Sequence, residues 1–171
     1  MADAIWILLA RTVHILGGII WAGAVFMMTA VVFPIVAKHG SEGAGRWMGM
    51  IGRKVAPASG IAALLTIVSG IYLMAVLHPH DRSVNGIVLM TGAVAALLSF
   101  AVGFFIGRPA GLKLSELSEQ QAKSGTPPAE LAGQVAALRR RSAVSAKFTA
   151  ALLGLAVVAM ALFRYMPASF A

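Results

Sequence analysis

Four long apolar runs, separated by short polar or basic connections, make up the pattern of this chain. They fall at about residues 5–36, 57–77, 86–107 and 143–166. About 20 apolar residues carry a helix across the hydrocarbon core of a bilayer, so each run predicts a transmembrane helix. The first is longer than a bilayer needs and should tilt or project, with Pro34 near its end. Between runs one and two, Ser41 is placed to cap a short helix presenting Trp47, Met48 and Ile51 to the membrane interface. Gly60 and Gly70 in the second run, and Gly103 and Gly107 in the third, permit close helix approach. A turn, HPHDRSVN at residues 78–85, joins the second run to the third.

The connection at 108–142 is polar but periodic. Leu114 and Leu117, then Leu131, Val135 and Leu138, recur at helical spacing, and Glu119 with Lys123 makes an i,i+4 pair. Thr126 and Pro127 suit the start of a new helix. The expectation is a helical hairpin that extends spans three and four out of the membrane. The fold class is therefore all-α: a single domain of four transmembrane helices over residues 1–171.

Composition agrees. Of 171 residues, 59% are hydrophobic and 12% charged, a balance that excludes an ordinary soluble domain. The net charge of +8 comes from basic residues concentrated between the spans, which indicates topology and lipid contact, not nucleic acid. The absence of cysteine excludes disulfides, thiolate metal sites and a cysteine nucleophile. No basic leader or small-residue cleavage site precedes the first run, so it is expected to be a retained span. Lys38, Arg46, Arg53 and Lys54 follow span one, and Arg108, Lys113, Lys123, Arg139, Arg140, Arg141 and Lys147 lie between spans three and four. Only Arg11, Arg82 and Arg164 fall on the other side. The positive-inside rule then places both termini outside, in the periplasm of a bacterial inner membrane, and the basic hairpin in the cytoplasm.

Chemistry concentrates in RTVHILGGIIWAGAVFMM, residues 11–28. On a helix Arg11, His14, Gly18, Trp21, Val25 and Met28 share one stripe. Ionisable groups inside a span are costly and usually face the bundle interior or a cavity. That stripe therefore reads as a pocket wall. The alternating direction of the spans brings Tyr72, Met74, Met90, Met160 and Arg164 to a similar depth.

The string HILGGIIWAGAVFM, residues 14–27, resembles the H-x6-W-x-G signature that opens the copper-resistance D (CopD)-like integral membrane proteins, and HemJ-like proteins open in a similar way. The glycine-bearing second span, the leucine- and arginine-bearing hairpin and the closing MALFRY, residues 160–165, fit that four-span superfamily. The resemblance implies haem or copper. In a b-type haem reading, His14 is the axial ligand, Gly17 and Gly18 leave room for a flat ring, and Trp21 stacks on it. Arg11 and Arg164, beside Tyr165, meet the propionates, since every acid lies outside the spans. Met74, Met90 or Met160, a loop histidine swinging in, or a second chain in a homo-oligomer supplies the other axial ligand. In the copper reading, His14, His78, His80 and the methionines are the ligands. A third reading is a membrane scaffold subunit without enzymatic activity. Plainer roles also stand beside these: Arg11 and Arg164 snorkelling to headgroups, Trp6, Trp21 and Tyr165 as interface anchors, and His78 and His80 solvated in their turn. The partners expected are lipids and, under the haem reading, a redox partner.

Overall fold

The computed structural model describes residues 2–38, 44–124 and 129–166, and they are helical almost throughout. Helix α1 (Ala2–Met27) runs through a π-turn (Met28–Val32) into α2 (Phe33–Lys38). Helix α3 spans Ala44–Leu77. Helix α4 (Val84–Val102) runs through a second π-turn (Gly103–Gly107) into α5 (Arg108–Ser124), and α6 (Ala129–Leu162) ends in a 3₁₀ turn (Phe163–Tyr165). Four stretches are long and apolar enough to cross a membrane: Asp3–Lys38, Met50–Leu77, Val84–Leu117 and Ala132–Tyr165.

The packing is that of a bundle in lipid. Its interior is built from small residues (Ala62, Ala63, Ala95, Ala96, Ala156 and Ala159), while Ile19, Val68, Phe105 and Val158 point outward. Without a hydrophobic drive between helices in lipid, close backbone approach through small residues supplies the contact. Helix α1 packs chiefly on α3, and α4 chiefly on α6. The two pairs meet at an apolar plug of Trp21, Ala63, Leu153 and Ala156, with Phe100 against it. Beyond it, α5 lies along α6, where Leu117 and Val135 are buried and Leu114 and Leu138 half-buried.

Both π-turns have an identifiable cause. Each is followed by a proline, Pro34 or Pro109, which lacks the amide for a regular helical bond and crowds the carbonyl one turn back. Widening the preceding turn relieves that clash. The Phe33 amide reaches back to Met28 O and the Arg108 amide to Gly103 O, five residues in each case. Gly17, Pro34 and Lys38 in the first helical rod are matched by Gly92, Pro109 and Lys113 in the third at one constant offset. Gly17 faces the Ala62 carbonyl on α3 as Gly92 faces the Ala156 carbonyl on α6. Each of these two rods thus has its π-turn at the same distance from a glycine that meets a neighbouring helix closely.

The second span differs from its expected form. Instead of a short interface helix and then a span starting at Pro57, one continuous helix passes through Pro57. A proline costs little within a membrane helix where neighbouring groups re-satisfy the freed carbonyl. Ser41, Thr126 and Pro127, and the side chains of Trp47, Met48, Glu119, Lys123 and Leu131, lie outside the described residues.

Candidate functional site

His14 lies half-buried on the face of α1 that meets α3. Its Nδ1 is 2.8 Å from the Thr66 carbonyl oxygen and 3.5 Å from Ser69 Oγ. A carbonyl only accepts, so Nδ1 carries the hydrogen and donates it. In the neutral ring this leaves the lone pair on Nε2. The bond is possible because position 70 is glycine: a Cβ there would stand 2.8 Å from the ring's Cε1 and 3.1 Å from Nδ1. One turn along the seam, Gly17 plays the same part, since a Cβ on it would stand 2.6 Å from Thr66 Oγ1 and 3.0 Å from the Ala62 carbonyl. Thr66 and Ser69 return their own hydroxyl hydrogens to helical carbonyls, at 2.8 Å to Ala62 O and 2.6 Å to Leu65 O. The imidazole is thus held by an α3 backbone carbonyl in one tautomer and one orientation.

The rest of the α1 stripe is not gathered around the ring. Trp21, 4% exposed, belongs to the apolar plug, edge-on to Phe100 with ring centroids 6.4 Å apart. It lies two turns from His14, about 10 Å along the helix. Gly17 is taken up by packing, and a Cβ on Gly18 would make only an ordinary contact with Thr66 Cγ2 at 3.8 Å. Arg11 is exposed one turn from His14. At the end of the fourth span, Arg164 is exposed with its guanidinium 5.7 Å from the Phe163 ring centroid, and Tyr165 is 80% exposed. Met160 packs against Gly92, where its Cγ is 3.4 Å from the position of a Cβ.

The other candidate ligands do come together, but elsewhere. Met74, His78, His80, Asp81, Arg82 and Met90 line a cavity of about 220 Å³ at the turn between α3 and α4. There His78 Nδ1 is 3.6 Å from Asp81 Oδ2, and its ring stands edge-on to Phe163 at 5.7 Å. His80 adopts φ 58°, in the left-handed region. The Ser83 amide donates to Asp81 Oδ1 at 3.0 Å, and Ser83 Oγ caps α4 by accepting from the Gly86 amide at 3.2 Å. Hydrogen bonds from the Ser83 hydroxyl and amide, and then His78, hold the Asp81 carboxyl below the usual aspartate range. Among the described residues, no group of three His, Cys, Asp or Glu is arranged to hold a metal ion.

Thr66 and Ser69 are the neighbours of His14 that sequence reasoning missed. Their signal is two hydroxyls just ahead of a glycine in an apolar span, opposite the only histidine in any span. The chain matches no family model, no curated protein and no solved structure.

Proposed function

We propose that this chain is an integral membrane b-type haem-binding protein with a redox or porphyrin-related role, and that His14 is an axial ligand. The observation that carries the proposal is the hydrogen bond from His14 Nδ1 to Thr66 O. Ligating histidines characteristically donate the other ring nitrogen to a carbonyl or carboxylate, which fixes the tautomer and raises the basicity of the ligand. Nε2 is the nitrogen left to bind iron. The residues present fit one axial ligand of this kind. Arg11, exposed one turn away, and Arg164 have no membrane-embedded carboxylate to meet, and propionates suit them. Met74, one turn along α3 from Gly70 and half-buried, is the methionine best supported as a second ligand. Bound haem would supply one-electron chemistry, with the protein setting ligand, orientation and charge.

The topology proposed with it follows the basic residues: both termini in the periplasm of a bacterial inner membrane, His14 in the outer half of the bilayer, and the α5–α6 hairpin in the cytoplasm. A copper-handling role is the second reading, favoured by the imidazoles and thioethers around the cavity at His78 and His80.

The deciding experiment is an absorption spectrum and metal analysis of the detergent-purified protein, with His14→Ala beside it. A Soret band that disappears in His14→Ala, while the variant remains inserted, supports haem at this residue. Full haem occupancy in His14→Ala ends the proposal. Stoichiometric copper without a Soret band, lost in His78→Ala and His80→Ala, supports the second reading instead.

A further inference from the structure

A second polar layer lies on the far side of the Trp21 plug from His14. Ser99, 0% exposed, donates to the Thr149 carbonyl across the α4–α6 contact at 3.0 Å. Thr29, in the first π-turn, donates to the Ala146 carbonyl at 3.5 Å. Thr149 and Ser145 face the two ends of the second π-turn. A Cβ on Gly103 would stand 3.8 Å from Thr149 Oγ1, and one on Gly107 would stand 3.3 Å from Ser145 Oγ. Both π-turns therefore press on the same turns of α6, and both present glycine or hydroxyl side chains to it.

One group in this layer lacks a partner. Thr149 is 6% exposed, and its Oγ1 is a buried side-chain atom with no hydrogen bond. A hydroxyl has one hydrogen to give and two lone pairs to offer, and leaving all of them unmet in an apolar interior is costly. Ser145 spends its hydrogen on Ser142 O at 3.0 Å, which leaves its lone pairs facing Gly107. A π-turn moves a backbone carbonyl out of the regular helical ladder, and such turns recur at functional sites. Irregular backbone at membrane depth is tolerated where it is buried in protein or lines a water-filled space. Lone pairs on Ser145 Oγ and the donor and lone pairs on Thr149 Oγ1 are within the two to four hydrogen-bonding partners that a buried water takes. Among the described residues the layer offers no carboxylate to balance a metal cation and no buried cation to hold an anion, so the ligand it suits is neutral.

We propose that the layer between the two π-turns, centred on Thr149 and Ser145, is a hydrated site in the membrane interior that binds water or a small neutral hydrogen-bonding molecule. It stands apart from the haem reading, because the Trp21–Leu153 plug separates it from His14 and none of its residues touches that ring.

Two measurements on the full-length protein in native membranes or nanodiscs test it. Thr149→Val keeps the shape and removes the hydroxyl. If water is bound there, this variant loses a filled hydrogen-bond site and melts several degrees lower, while Thr149→Ser melts near the wild type. If Oγ1 is dry and unpaired, Thr149→Val removes a penalty and melts higher, which overturns the proposal. The chain has no cysteine, so single thiols can be placed in the native background. Thiols react as thiolates, and thiolates need water. Thr149→Cys should therefore react with a small methanethiosulfonate reagent at least tenfold faster than Leu153→Cys, which is buried to a similar degree (3% exposed) but walled by apolar side chains. Equal rates at the two positions also overturn the proposal.

Discussion

Gly70→Ala is the sharpest probe of the His14 seam, because one added methyl group strikes the imidazole. The new Cβ would stand 2.8 Å from Cε1 and 3.1 Å from Nδ1. Carbon atoms in contact prefer about 3.5–4.0 Å, so the ring or the helix must move by roughly an ångström. Overpacking of this kind costs about 1–3 kcal/mol. Displacing the ring also breaks its 2.8 Å bond to Thr66 O. Interhelical hydrogen bonds in membranes average about 0.6 kcal/mol, with a maximum near 1.7. Replacing glycine by alanine in a helix returns at most about 1 kcal/mol of backbone entropy. The net expectation is destabilisation by about 1–3 kcal/mol.

Gly60 supplies the control on the same helix, since nothing lies within 4 Å of a Cβ there. Gly60→Ala should be neutral or stabilising by up to about 1 kcal/mol. Reversible unfolding in mixed micelles, titrated with a denaturing detergent, measures both. Under the haem proposal, haem content of the same samples adds a second readout: Gly70→Ala should lower it and Gly60→Ala should not. Equal stability of the two variants would refute the α1–α3 register on which the site depends. Loss of stability with full haem retention would leave the register intact and remove His14 from the site.

Ser99→Ala deletes the 3.0 Å bond to the Thr149 carbonyl without opening a large cavity, and should cost about 0.6–1.7 kcal/mol in the same unfolding assay. A loss above 3 kcal/mol would mean that the α4–α6 contact depends on more than this bond. At the turn, the lowered Asp81 makes a pH test with a definite sign. A carboxyl with a depressed folded-state pKa adds stability that is complete above its unfolded value, near 3.8, and is lost as pH falls through the lower folded value. Order in the His78–Ser83 turn, followed by amide exchange, should therefore weaken only below about pH 4. Asp81→Asn should remove that dependence, and an unchanged acid transition in Asp81→Asn would assign it to another group.

Much of the architecture is legible because the membrane makes the code simple. Four apolar runs gave four helices, since a chain in lipid must satisfy its backbone internally. The boundaries were harder. Pro57 reads as the start of a span in sequence, yet it lies inside α3, because a helix that continues into the interface needs no stop there. Pro34 read as lying near the end of the first span, yet it and Pro109 each follow a π-turn inside a rod that continues. What a proline does to a helix depends on whether the chain has somewhere else to go, and at these two positions it does not.

One stripe on α1 singled out His14 together with Trp21, and the structure places the two in different surroundings for a related reason. Residues three, four and seven apart share a face, but a helix in a bundle has two other helices beside it, and one face is divided between them. His14 and Gly17 turn to α3 and engage Thr66; Trp21, two turns on, reaches the junction with Phe100 and Leu153. The decisive groups came from the partner helix. Thr66 and Ser69 are ordinary residues in an apolar run, and only the register of α1 on α3, set by two glycines, gives them a histidine to hold. The same holds for Thr149, which carries no signal alone and becomes notable because Gly103 lies opposite. In a bundle whose interior is mostly alanine, glycine, serine and threonine around one Trp21–Leu153 plug, polar chemistry is fixed by which small residue faces which hydroxyl. That pairing is a property of two helices together, and it appears in neither apolar run read by itself.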